Sequence, residues 1–276
     1  MSDHFRAFSF VDRILSVNPG VNISGSYAIP RELDSFPDLL VAEALGQVGA
    51  WSAMAAVDFK FRPVAGLTQG AEVFSSARPG QVLELQSEIE SVDTETAVYS
   101  GTAHADGVLV LRLHRHVGPM MALEEFDDPI AVRERFALLC GTGAVPGGFA
   151  GLPAIPLHLL AREEGRRESA SLEVPTSAPF FADHFPRKPV FPGTIMMSLN
   201  FQLANSLLAG VPANGGSWKL RSVSNVKFRS FTPPGTALEC EARVDSVTGD
   251  TANITVETRD PKRLVASAKA IFSIQT

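Results

Sequence analysis

"ARPGQVLELQSEIESVDTETA", residues 77–97, aligns without a gap to "TPPGTALECEARVDSVTGDTA", residues 232–252, so that Gly80 falls on Gly235 at an offset of 155 residues. A repeat at one fixed spacing marks a duplicated structural unit. The same offset sets Leu109-Val110 on Leu264-Val265, Phe36-Pro37 on Phe191-Pro192, and Gln47 on Gln202. Within the quoted stretch Val82, Glu84, Gln86 and Glu88 fall on one face of a period-two pattern and Leu83, Leu85, Ser87 and Ile89 on the other, which is the signature of a half-buried strand. Each copy therefore reads as an apolar helix followed by alternating strands, and the class is α+β with antiparallel sheet.

Outward from the repeat, the chain divides into a first copy at 1–122, a linker at 123–153 and a second copy at 154–276. The linker holds "EEFDDPIAVRERFALLC", expected to be a short helix, and "GTGAVPGGFAGLP", a glycine-rich connector with no phosphate-loop lysine. A second apolar stretch, "LLVAEALGQVGAWSAMAAV" at 39–57, is almost long enough to cross a bilayer. It carries Glu43 and Gln47, which are costly in lipid, and an all-round apolar helix is also what a sheet wraps in a core. We expect a buried helix and no membrane span.

Composition narrows the function classes. A chain of 276 residues with 45% hydrophobic content can bury a substantial core, and a net charge of −6 argues against nucleic acid as the main partner. Cys140 and Cys240 have no paired spacing, so neither a disulfide framework nor a zinc site is indicated and a reducing, cytoplasmic setting is the default. The opening "MSDHFRAFSFVDRIL" lacks the continuous apolar run of a secretory signal. No cluster has metal-ligand spacing and no nucleotide fingerprint is present, so neither metal nor cofactor is expected.

"DHFPRKPVFPGTIMMSLNFQ", residues 183–202, places a histidine in a bent, proline-rich loop ahead of an apolar helix that opens at Pro192-Gly193. With "NVKFRSFTPPGTALECEARV" after it, and "FSFVDRILSV" and "FPDLLVAEALGQ" in the first copy, the chain resembles the hotdog-fold 3-hydroxyacyl-[acyl-carrier-protein] dehydratases. The resemblance covers most of the chain outside the linker. It implies a double hotdog: two long helices, each wrapped by an antiparallel sheet, paired as a pseudo-dimer. In that family a histidine from one partner meets an acid from the helix of the other, six residues after the proline of the proline-glycine step.

Carried onto this chain, that count reaches Ser198 from Pro192 but Glu43 from Pro37, while the offset of 155 sets Ile29 at the histidine position of the first copy. One copy keeps the base, His184, and the other keeps the acid, Glu43, so one composite site and one degenerate Ile29/Ser198 site are expected. Imidazole suits removal of the proton beside a thioester carbonyl, and a carboxyl group can serve the departing hydroxide. Gln47, one turn after Glu43, is placed to hydrogen-bond it. Gly193 opens a helix and offers a backbone N–H to an enolate oxygen, whereas Asp38 at the matching position would repel one.

The resemblance further implies an acyl thioester carried by an acyl carrier protein or coenzyme A, with Arg187, Lys188, Lys227 and Arg229 as the cations that would meet an acidic carrier. His114 and His116 read as structural strand residues, and Met196, Met197 and Trp51 as side chains that could set the depth of an acyl tunnel. Two other readings remain, a hotdog thioesterase and an inert acyl-binding protein. One chain completes its own site, and the family's habit of grouping pairs allows a further homo-oligomer of double-hotdog chains.

Overall fold

A computed structural model describes residues 4–213 and 215–275; the first three residues of the opening segment read above lie outside it. The first half runs β1 (Arg13–Asn18), β2 (Asn22–Ala28), α1 (Asp38–Ala56), β3 (Phe61–Pro63), β4 (Leu67–Val73), β5 (Val82–Val92), β6 (Thr96–Ala105) and β7 (Val108–Ala122). After α2 (Pro129–Cys140) the second half runs β8 (His158–Glu163), β9 (Arg167–Glu173), α3 (Gly193–Leu208), β10 (Ser217–Phe228), β11 (Ala237–Thr248), β12 (Thr251–Arg259) and β13 (Leu264–Gln275).

The strands form one antiparallel sheet in the order β1-β2-β5-β6-β7-β4-β10-β13-β12-β11-β9-β8, with β3 pairing β7 off that path. Read inward from each edge the two halves have the same order, and they meet where β4 pairs β10, with Thr68 opposite Val226 and Ala71 opposite Val223. The chain is thus a double hotdog. In β5 the alternation expected from the sequence holds: Leu83, Leu85 and Ser87 are buried while Val82, Glu84, Gln86 and Glu88 are exposed.

The near-apolar stretch at 39–57 is the core helix of the first half. Leu40, Val41, Ala44, Leu45, Val48, Trp51, Ala53 and Met54 are buried around α1, which explains why it shows almost no polar face. Gly49 lets the sheet approach closely, since a Cβ there would stand 2.7 Å from the Tyr99 ring. Tyr99 in turn donates its hydroxyl to Gly46 O at 3.1 Å. In the linker, Asp128 caps α2 by accepting from Ile130 N at 3.2 Å, and Pro129 occupies the first turn, where its missing N–H costs nothing. Phe136 of α2 packs on Trp51 with ring centroids 5.9 Å apart, so the linker is part of the fold.

The offset of 155 holds from the helices onward and fails before them. Ile29 N donates to Gln81 O and Gly80 N to Ile29 O; in the second half Val174 N donates to Thr236 O and Gly235 N to Val174 O. These paired bonds make Val174 the counterpart of Ile29. The expectation that Ile29 stands at the histidine position is therefore corrected. The connection from strand to helix spans nine residues (29–37) in the first half and nineteen (174–192) in the second. His184 sits in the longer one, which has no equivalent in the first half. An ungapped count backward from the helix crossed that length difference without any local pattern to reveal it.

Candidate active site

The long connection is shaped by its own backbone. A 3-10 turn at Pro179–Ala182 leads into His184, whose N–H donates to Phe180 O at 2.9 Å, and Val190 N returns to His184 O at 3.0 Å. The imidazole Nδ1 lies 2.9 Å from Val190 O. A carbonyl oxygen can only accept, so Nδ1 carries the proton and Nε2 keeps a free lone pair. Burial holds the imidazole below its ordinary range, against the opposing pull of the Glu43 charge; the Val190 bond also favours the cation and Arg62 disfavours it. The net direction is a neutral ring, the form that can take a proton.

Glu43 comes from the other half, on α1. Its Oε1 accepts from Gln47 Nε2 at 2.9 Å, as the one-turn spacing predicts, and its Oε2 accepts from Thr194 Oγ1 at 2.8 Å. Thr194 is in the first turn of α3, so the carboxyl group is held between the two central helices. Gln47 is itself fixed: its Oε1 accepts from Phe10 N at 2.8 Å and its Nε2 also donates to Phe8 O at 2.9 Å. Phe8 then presents its ring edge-on to His184, with centroids 6.0 Å apart. Asp183, beside the histidine, ties down the same N-terminal segment by accepting from Phe5 N, from Phe8 N at 2.6 Å and from Ser9 Oγ at 3.1 Å. Burial pushes the Asp183 carboxyl upward against these bonds.

Glu43, Gln47, His184, Gly193 and Thr194 all line one cavity, which encloses about 1470 Å³ of empty space with its open mouth included. Leu39, Ala42, Glu43, Gly46, Gln47, Ala50, Trp51 and Met54 form its helix wall, a stripe that follows α1 for most of its length. From Glu43 to Met54 that is about 16 Å at the rise of an α-helix. Met197 also lines the cavity, while Met196 is buried in the core away from that lining. At Gly193 a Cβ would stand 2.6 Å from the Phe228 ring, so the start of α3 favours glycine for space, and Gly193 lines the cavity beside Thr194.

Sequence reasoning missed two contributors, Thr194 and Arg62. A threonine in a first helical turn looks like ordinary capping, and its partner Glu43 is 151 residues away. Arg62 follows α1 in a segment with no repeat signal. It lines the cavity, stacks its guanidinium 3.9 Å over the Phe185 ring, and lies 3.8 Å from Asp127, which also meets His4 Nε2 at 3.1 Å. Burial pushes Arg62 down to about 10, opposed by the charges of Asp127 and Glu43.

Neither Ile29 nor Ser198 lines this cavity; Ile29 is buried, and Ser198 Oγ is buried without a hydrogen-bond partner among the described residues. Asp38 sits at the start of α1, hydrogen-bonded to Ser76 with its carboxyl pushed upward by burial. The four cations divide into two pairs. Arg187 donates to Glu124 O at 3.0 Å and approaches Asp128 at 3.7 Å, and Lys188 pairs with Glu125 at 3.4 Å, so both are compensated by the linker. Lys227 is exposed at the end of β10, and Arg229, also exposed, donates to Ser267 Oγ at 3.0 Å. His114 lies 3.3 Å from Glu72, whereas His116 lines the cavity.

Residues 161–269 match the model of the ApeI-like dehydratase family. A 3-hydroxyacyl-[acyl-carrier-protein] dehydratase FabZ of Desulforamulus reducens is 29% identical over 118 residues, which is 42% of this chain and 83% of that protein. In fold the whole chain is similar to a TesB protein of Mycobacterium avium subsp. paratuberculosis, with a TM-score of 0.59, 12% identity, and coverage of 95% of this chain and 96% of that one. It is similar also to a 12:0-ACP thioesterase of Umbellularia californica, with a TM-score of 0.54, 11% identity, and coverage of 92% and 94%.

Proposed function

We propose that this double hotdog, related in sequence to hotdog-fold dehydratases, removes water reversibly from a 3-hydroxyacyl thioester at one composite site. The observation that carries this reading is the cavity shared by a neutral His184, with Nε2 free, and a Glu43 carboxyl group clamped between the two central helices. His184 Nε2 takes the proton from the carbon beside the thioester carbonyl. Charge builds on the carbonyl oxygen, where the Gly193 amide and the positive end of α3 stabilise it. The C–O bond at the third carbon then breaks: the proton gained by His184 is relayed through the Glu43 carboxyl group to the departing hydroxide, and the electron pair left on the second carbon closes the double bond. Water leaves, with His184 neutral and Glu43 a carboxylate, as both began.

The test is a spectrophotometric assay of hydration of 2-enoyl thioesters from butenoyl to hexadecenoyl, with a parallel assay for free thiol. Loss of the enoyl absorbance without thiol release supports a dehydratase. Thiol release from saturated acyl thioesters, with no hydration, would replace this reading by a hotdog thioesterase. Inertness in both assays with tight acyl binding would leave an acyl-binding protein.

The pH profile is a second test. A base must be unprotonated, and His184 is held below its ordinary value by burial. As pH falls, activity therefore persists through about 6.5, the ordinary imidazole value, and is lost only below it, as Nε2 becomes protonated. The kcat/KM profile of the free enzyme checks this, and an acid limb centred above that value would remove His184 as the base.

The carrier is proposed to be an acyl carrier protein or coenzyme A. Because Arg187 and Lys188 are already compensated, the exposed Lys227 and Arg229 are the cations that an acidic carrier would meet. Lys227→Glu with Arg229→Glu is expected to weaken carrier binding, with an effect that shrinks as salt is raised. Unchanged affinity at low salt would remove these two residues from the account.

A further inference from the structure

One polar cluster in the cavity takes no part in the steps above. His116 of β7 stands on the sheet wall, with Nδ1 2.9 Å from the hydroxyl of the buried Thr68 and its ring 5.0 Å from that of Tyr99. Tyr99 is anchored on Gly46 O, one turn past Glu43 along α1, which is roughly 5 Å of helix rise. The cavity wall around the cluster is otherwise apolar, with Ala71, Leu113 and Val226 beside it.

Burial pushes the His116 imidazole down to about 4, so the ring is neutral near pH 7 and presents one donor and one acceptor. Thr68 satisfies Nδ1. Among the described residues this is the only hydrogen bond the His116 ring makes, so Nε2 has none although the residue lines the cavity. His116 is half-buried and its open Nε2 would lose water when an acyl chain covers it, so a plain chain there would leave the nitrogen unpaired, a cost that a leucine at this position would avoid. The wall is therefore built as if an oxygen arrives from the cavity side. If the Thr68 hydroxyl donates to Nδ1, Nε2–H is a donor; if Nδ1–H donates, Nε2 is an acceptor. A hydroxyl group satisfies either case.

We infer that His116 Nε2 receives an oxygen carried on the acyl chain itself, so that the preferred substrates are thioesters whose chain bears a second hydroxyl group beyond the reacting carbons. The inference rests on the proposed function only for which end of the ligand lies at His184 and Glu43. Its test uses binding alone, so that the two can fail separately.

The probes are saturated decanoyl pantetheine, which has no group to eliminate, and the same thioester with one hydroxyl at successive carbons beyond the third. Calorimetry on the native chain is expected to find one hydroxyl position that binds on the order of tenfold tighter than the plain chain. His116→Leu should abolish or reverse that preference, and His116→Gln, which keeps a hydrogen-bonding group, should retain part of it. Thermal melting checks the fold of each variant, and His116→Gln carries the test if His116→Leu does not fold. Two results would overturn the inference. The native chain could bind the plain thioester as tightly as every hydroxylated one. Alternatively, His116→Leu could weaken all probes equally, which would place the contact on the pantetheine arm. A preserved hydroxyl preference in a protein that hydrates no enoyl thioester would leave this inference standing and remove the dehydratase reading.

Discussion

His184→Ala and Glu43→Gln are each expected to lower turnover by roughly a hundredfold to ten-thousandfold, the usual scale for a general acid or base. Steady-state kinetics on the preferred enoyl thioester, with folding checked by thermal melting, measures this. The two side chains lie on different halves but line one cavity, and in the proposed reaction they act on adjacent carbons of one substrate. Their double variant should therefore cost little more than the worse single one, because groups that act as a unit are strongly non-additive. Multiplied losses would mean two independent sites. A stable Glu43→Gln protein with full activity would remove the composite site altogether. Ile29→His is not expected to create a second site, because Ile29 is the counterpart of Val174 and the first half lacks the ten extra residues that place His184.

Gln47→Leu should act on both stability and turnover. The Gln47 amide holds Phe10 N, Phe8 O and Glu43 Oε1, and Phe8 and Phe10 are both buried. Leucine removes every one of these bonds, at about 1–3 kcal/mol for each buried group left unsatisfied. Glu43 also loses one of its two anchors. Thr194→Val removes the other anchor through a single bond and leaves the N-terminal segment tied, so its melting temperature should fall less. If Gln47→Leu melts lower but its folded fraction turns over normally, Gln47 braces the segment and does not position the acid. A lower kcat in both variants, with KM little changed, identifies the Glu43 carboxyl orientation as what they share.

Much of this was legible in the chain. An ungapped block such as 77–97 against 232–252 fixes strand alternation, because side chains on a strand alternate faces whatever the neighbours are. That periodicity, together with the apolar α1, was enough for two copies of a helix wrapped by antiparallel strands. Gln47 bonded to Glu43 was legible for the same reason, since residues four apart on a helix are neighbours.

The sequence by itself determined what depends on local period: the duplicated unit, the faces of its strands, the two core helices and the placement of a carboxyl group on one of them. Only the tertiary structure decided what depends on contacts between distant segments. The join of the halves at β4 and β10, the Thr194 hydroxyl on Glu43, Arg62 over Phe185, the compensation of Arg187 and Lys188 by the linker, and the Val174 register all pair residues with no spacing rule between them. A residue offset tracks equivalence only through blocks of equal length. Where the strand-to-helix connection lengthened, backbone hydrogen bonds set the register, and the histidine arrived on a loop that one half has and the other does not.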